Sequence, residues 1–171
     1  FVATKKQAKD IVAGIVKPTR MPFVTERWSG GMLTNFATVR KSVRKMQQYD
    51  KMKADGTLDT MSKRERLQRA RQREKLETIF GSIADMNRLP AAVFIVDVRK
   101  EHIALAEAKK LGLPVFAMVD TNSNPKDIDF VIPANDDATK SIEKVVGIMA
   151  EAISEGLEER KASKEKEKQQ A

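Results

Sequence analysis

The residues best suited to chemistry in this chain are carboxylates at the ends of apolar runs. Ala92 to Val96 (A-V-F-I-V) runs into Asp97, and Val115 to Val119 (V-F-A-M-V) runs into Asp120. Two acids at neighbouring strand ends sit where parallel α/β sheets place ligands, and such a pair can coordinate Mg²⁺. The same acids equally serve to cap the turns that follow. Asp136 and Asp137 open a helical pattern, where negative charge is favoured. His102 is the only histidine and falls in the first turn of a helix, a surface or capping position, with no partner set for nucleophilic catalysis. Gly30-Gly31 precede a helix, where two glycines serve tight packing or backbone binding of an anion. Trp28, just before them, is either core or a stacking surface for a base.

Other chemistries are excluded outright. The 171 residues contain no cysteine, so there is no disulfide, thiolate nucleophile or cysteine metal site. Neither G-x-G-x-x-G nor G-K-[ST] occurs, which removes the usual dinucleotide and nucleoside triphosphate motifs. No cofactor and no metal is expected. The longest apolar run, Ala91 to Val96, is far shorter than the ~20 residues that cross a bilayer. No signal-peptide pattern opens the chain, which starts at Phe1 in a strand-like run, so a preceding segment is expected.

Those residues need a scaffold. The βαβ unit from Ala92 to Val119, with a helix over Lys100 to Leu111 stopped by Gly112 and Pro114, implies parallel strands buried on both faces. Phe1–Thr4, the segment around Phe23–Thr25, and Phe130–Ile132 supply further strands, and Lys5–Val16 and the stretch after Asn135 supply helices. The fold class is α/β: an open parallel sheet of about five strands with helices on both faces. Into it is inserted an antiparallel, coiled-coil helical hairpin, from the stripes Leu33, Phe36, Val39, Val43, Met46 and Leu67, Ala70, Leu76, Ile79, Ile83. The helices, about 20 and 25 residues at ~1.5 Å each, would make an arm roughly 30–35 Å long. The body is thus 1–36 with 87–154, the hairpin is 37–86, and the charged tail 155–171 is expected to fray or be disordered.

Charge divides along the same lines. The net +8 comes from 32 Lys and Arg against 24 Asp and Glu, and charged residues make up 33% of the chain against a usual ~25%. The segment 1–36 carries +4, 37–86 carries +6, 87–154 carries −2, and the tail is neutral. Clustered cations in the first half predict a polyanion-binding surface. The candidate phosphate ligands are Lys5, Lys6, Lys17, Arg20 and Arg27 on the body, with Arg40, Arg44, Lys45, Arg64, Arg66, Arg69, Arg71 and Arg73 on the hairpin. Aromatic residues are only 5% of the chain, which favours docking on folded RNA by backbone charge and shape over single-strand stacking.

R-W-S-G-G-M-L-T-N-F, Arg27 to Phe36, resembles the signature of the bacterial small-subunit ribosomal protein S-two family. Its matching residues are Arg27, Trp28, Gly30, Gly31, Leu33, Thr34, Asn35 and Phe36. The later segments A-V-F-I-V-D, K-E-H-I-A-L-A-E-A-K-K-L-G-L-P-V, V-D-T-N-S-N-P and I-P-A-N-D-D-A follow in the family's order, bringing in Asp97, Asp120, Asn122, Asn135, Asp136 and Asp137. Ser29, Ala91, Asn124 and Ala134 depart from the usual Leu, Asp, Asp and Gly. Relative to the family the chain is N-terminally truncated, lacking a segment with a G-x-H-F-G-H-type motif. The resemblance implies a flavodoxin-like body with a protruding coiled coil and no catalytic activity. It also implies a structural constituent of the small ribosomal subunit, cytoplasmic and ribosome-associated, without a membrane or a small-molecule substrate. Such proteins bind small-subunit (16S-type) ribosomal RNA between head and body. They also contact neighbouring proteins and help to anchor ribosomal protein S-one for mRNA recruitment. The alternative is a metal-dependent α/β enzyme using Asp97 and Asp120.

Overall fold

The computed structural model describes residues 1–169. Its sheet has three parallel strands in the order β1 (Val93–Ile95), β2 (Val115–Val119) and β3 (Phe130–Pro133). Val93 faces Val115 across the first ladder, and Phe116 faces Phe130 across the second. Two further segments join by single parallel bridges, Val2 to Ile95 and Val24 to Val2. The spatial order is therefore Val24, Val2, β1, β2, β3. The expected count of five reduces to three ladder strands among the described residues. Each added segment pairs over one residue only: the chain turns into α1 (Lys6–Val16) soon after Val2, and Pro22 has no N–H to extend the pairing before Val24.

Alternation along the strands explains their unbroken apolar runs. Val93, Ile95, Val115, Ala117 and Val119 pack against Ala104, Leu105 and Ala108 of α4 (His102–Lys110). Phe94, Val96 and Met118 point the other way, onto Ala8, Val12 and Val16 of α1 and onto Ile142 and Val146 of α5 (Thr139–Gln169). Helices thus cover both faces, and each fully buried Val or Ile contributes roughly 1.5–3 kcal/mol. The α4 helix ends at Gly112, whose φ of +65° suits a residue without a Cβ. The tail expected to fray from residue 155 continues α5 as helix to Gln169, and residues 170–171 lie outside the described residues.

The hairpin consists of α2 (Phe36–Ala54) and α3 (Lys63–Phe80). They run antiparallel, because Arg73 meets Asp50, Arg69 meets Met52 and Arg66 meets Asp59. A capping box starts α3: Ser62 Oγ accepts from the Glu65 N–H while the Glu65 carboxylate accepts from the Ser62 N–H. The apolar seam is fullest at the end nearest the body, where Val39, Val43, Phe80 and Ile83 pack with Val24 and Met32, and farther out it keeps Met46 and, at the tip, Leu58 buried. Farther out, α3 turns Arg66, Ala70 and Arg73 inward. Leu67, assigned to the apolar stripe from its spacing, is instead 53% exposed, one position off that face.

Candidate nucleic-acid interface

The loop from Trp28 to Thr34 owes its shape to one carboxylate. Glu107, on the sheet-facing side of α4, is buried. Its Oε1 accepts from the Gly31 N–H (2.7 Å) and the Trp28 indole N–H (3.1 Å). Its Oε2 accepts from the N–H groups of Leu33 (2.9 Å) and Thr34 (3.0 Å) and from the Thr34 hydroxyl (3.1 Å). Burial alone would raise this carboxyl's pKa, but the bonds from Thr34, Leu33, Trp28 and Gly31 outweigh it and hold the pKa below the ordinary glutamate value. The two readings of Gly30-Gly31 therefore merge, since the loop's backbone does bind an anion, but an internal one. Gly31 has φ +86°, which an L side chain resists, and an added Cβ there would meet Asn35 Cβ at 3.2 Å. Trp28 is half-buried, packed against both the sheet core and the hairpin base. Asn35 Oδ1 accepts from the Thr38 hydroxyl at the start of α2, and Phe36 begins that helix half-buried.

The strand-end acids do converge, around Lys5. Its ammonium lies 3.2 Å from Asp97, 2.8 Å from Asp136 and 2.6 Å from Asp137. Burial would lower the Lys5 pKa, but the hydrogen bonds to Asp136, Asp137 and Asp97 raise it above the ordinary lysine value. Asp136 is fully buried; desolvation pushes its pKa up, with the Lys5 bond pulling the other way, and its Oδ2 has no protein partner. Asp120 accepts from the N–H groups of Thr121 and Asp136, and the Thr121 bond leads the causes that lower its pKa. Asn135 Oδ1 accepts from the N–H groups of Asp137 and Ala138 at the entry to α5, and Asn122 Oδ1 from the Ser123 hydroxyl. His102 is exposed, its Nδ1 3.3 Å from the Arg99 carbonyl. Among the described residues no three acidic or histidine side chains form a group suited to a metal ion. The carboxylates of the enzyme alternative are thus engaged with Lys5 and with backbone.

The candidate phosphate ligands fall into two sets. Lys5 and Arg40 are engaged internally. Lys5 has a side chain only 13% exposed. Arg40 donates from Nη1 to the carbonyls of Ala84 (3.1 Å) and Met86 (2.9 Å) and from Nη2 to Asn87 Oδ1 (2.8 Å), which ties α2 to the chain leaving α3. Arg66 and Arg73 are half-exposed and paired across the hairpin, Arg66 with Asp59 and Arg73 with Asp50 and Glu77. Lys6, Lys17, Arg20, Arg27, Arg44, Lys45, Arg64 and Arg71 are exposed and form no ion pair among the described residues, and Arg69 reaches only the Met52 sulfur, at 3.9 Å. On α3 the outward row continues through Lys75, and on α2 it takes in Lys41 and Lys51. Sequence spacing had not singled out Glu107, Glu101, which accepts from the Thr4 N–H at 2.8 Å, or the cross-hairpin role of Arg73.

The molecule is thus an α/β body whose signature loop is fastened from within and whose basic side chains stand along a projecting helical pair. The family model described as ribosomal protein S2 matches residues 1–156. The small ribosomal subunit protein uS2 of Porphyromonas gingivalis (strain ATCC 33277) is 68% identical over 164 residues, which cover 96% of this chain and 58% of that protein. That of Flavobacterium johnsoniae is 64% identical over 167 residues, 98% of this chain and 66% of that protein. That of Christiangramia forsetii is 62% identical over 162 residues, 95% and 54%. The chain belongs to the ribosomal protein S2 family. It spans less than two thirds of the length of these relatives.

Proposed function

We propose that this chain is a structural, non-catalytic constituent of the small ribosomal subunit that holds small-subunit ribosomal RNA by backbone charge and shape. The observation that carries this reading is the segregation of its cations. Arg44, Lys45, Arg64 and Arg71 are exposed on the hairpin and form no ion pair among the described residues, while Asp97 and Asp136 of the body turn inward onto Lys5 and Glu107 onto the signature loop. Arginine's planar fork suits bidentate contact with phosphate oxygens. The finer reading is a flavodoxin-like body and a supercoiled arm lying between the head and the body of the subunit. The protein would work in the bacterial cytoplasm on the ribosome, touch neighbouring subunit proteins and help to anchor ribosomal protein S-one.

A salt titration tests the RNA reading. Neutralising about six phosphates gives a slope of log affinity against log salt near −4 to −5. Arg64→Glu with Arg71→Glu should weaken binding to small-subunit ribosomal RNA and flatten that slope. A salt-independent affinity, or full affinity in the double variant, would overturn the assignment of the outer face to RNA.

A further inference from the structure

At the junction of body and arm lies an open cleft of about 380 Å³, lined by Arg20, Pro22, Ser82, Asp85, Met86, Asn87 and Arg88. We propose that it receives one unpaired guanine nucleotide of the bound RNA, an inference that rests on the RNA reading above. The volume falls within the range of small-ligand sites. Pro22 and Met86 are half-buried and offer apolar walls for a base. The Ser82 hydroxyl donates to the Phe23 carbonyl, fastening the two sides of the cleft together.

Its polar groups are free to bind. Arg20, Asp85 and Arg88 are exposed, and although all three line one cleft they form no ion pair with each other or with other described residues. Asn87 gives its oxygen to Arg40, which leaves its amide nitrogen available. Among the described residues Arg20 is the one non-glycine residue with positive φ, 57°, at the end of the turn Lys17–Thr19. Such positions favour glycine or asparagine, and bulky residues held there concentrate at functional sites.

Asp85 selects the base. A carboxylate on a rim with two arginines repels phosphate, so it needs donors of its own. Guanine alone among the four bases presents two adjacent N–H donors on its Watson–Crick edge, at N1 and the exocyclic amine, and a carboxylate accepts both. Arg20 and Arg88 then take the flanking phosphates. Unstacked bases read on this edge are the usual target of sequence-specific RNA recognition.

The experiment uses the 171-residue chain and a small-subunit ribosomal RNA transcript carrying thioguanosine. Photocrosslinking should join RNA to a peptide containing residues 20–22 or 82–88. Asp85→Asn should weaken affinity about tenfold with an unchanged salt slope. It should lose that deficit on a transcript with inosine, which lacks the exocyclic amine, at the crosslinked position. The sign is diagnostic, because removing a negative charge strengthens non-specific RNA binding. Arg88→Ala should flatten the slope by about one. If the wild-type chain binds RNA with a steep slope but Asp85→Asn binds as well or better, or the crosslink falls elsewhere, the cleft assignment fails and the RNA reading stands. If the wild-type chain binds no RNA, both fail. Tight binding of free GMP without a crosslink at the cleft would overturn the RNA strand as the source of the nucleotide.

Discussion

Replacing Glu107 with glutamine changes one atom and should unfasten the signature loop. The carboxylate accepts five hydrogen bonds from Trp28, Gly31, Leu33 and Thr34. Glutamine keeps one acceptor oxygen and turns an amide N–H₂ toward donors on the other side. Either orientation strands at least two N–H groups. The Leu33 bond is fully buried, and an orphaned buried donor costs about 1–3 kcal/mol, whereas the part-buried donors regain water at a few tenths each. Glutamine avoids that penalty by turning its oxygen to Leu33 and Thr34. The expected loss, from the stranded Gly31 and Trp28 donors and the lost charge, is therefore about 1–2 kcal/mol. Alanine, which removes every acceptor, should cost about 3–5 kcal/mol. For a chain of this size, about 1–2 kcal/mol lowers Tm by roughly 2–8 °C. Urea unfolding at pH 7 measures it, and the single tryptophan makes Trp28 emission a direct report from the loop. The folded-state pKa of Glu107 lies below its unfolded value. Its stabilisation is therefore complete above about pH 4.3 and is lost as pH falls through the folded value. The gap between wild type and Glu107→Gln should close in that acidic range and nowhere else. A variant within ~0.5 kcal/mol of wild type at pH 7, with unshifted Trp28 emission, would refute the internal-anion account of this loop.

Other substitutions discriminate the remaining contacts. Lys5→Met leaves Asp97 and the buried Asp136 without their cation and should cost about 3–5 kcal/mol. With the Asp136 pKa raised further, that variant should gain stability as pH drops from 7 toward 4, because the folded state then binds the extra proton; a stability curve parallel to wild type would count against it. Arg40→Ala removes bonds to two carbonyls and Asn87 and should cost about 2 kcal/mol, whereas Arg73→Ala, half-exposed in its ion pairs, should cost under ~1 kcal/mol; equal losses in denaturant titrations would contradict the contrast. Gly31→Ala should lose roughly 1–2 kcal/mol from its positive φ and the Asn35 contact, seen as an earlier urea midpoint.

Periodicity made the body readable. The runs that end in Asp97 and Asp120 became β1 and β2, and the alternation of their side chains between α4 on one face and α1 with α5 on the other is what an unbroken apolar strand means. The arm was legible as two amphipathic helices, but Leu67 was not, because near the tip the inward face of α3 is Arg66, Ala70 and Arg73 rather than an apolar stripe. Charge counting located the cation excess in the first half of the chain and could not sort its members. Whether a lysine meets phosphate or carboxylate depends on acids 92 to 132 positions away, as Lys5 shows. Glu107, the one acid of α4, stands in no motif. The signal that was there is its place beside Ala104 and Ala108, on the face made of small buried residues, where an acid needs a partner.

The seating of Lys5 at the carboxyl ends of the strands has a consequence for the whole sheet. In open parallel folds that rim is the customary mouth for a cofactor or metal. Here a covalently tethered ammonium sits in it at a local concentration that a dissolved cation in the cell would have to outcompete. The mouth is stoppered by the chain's own side group, and the scaffold is left to act as a rigid bracket for the arm it carries.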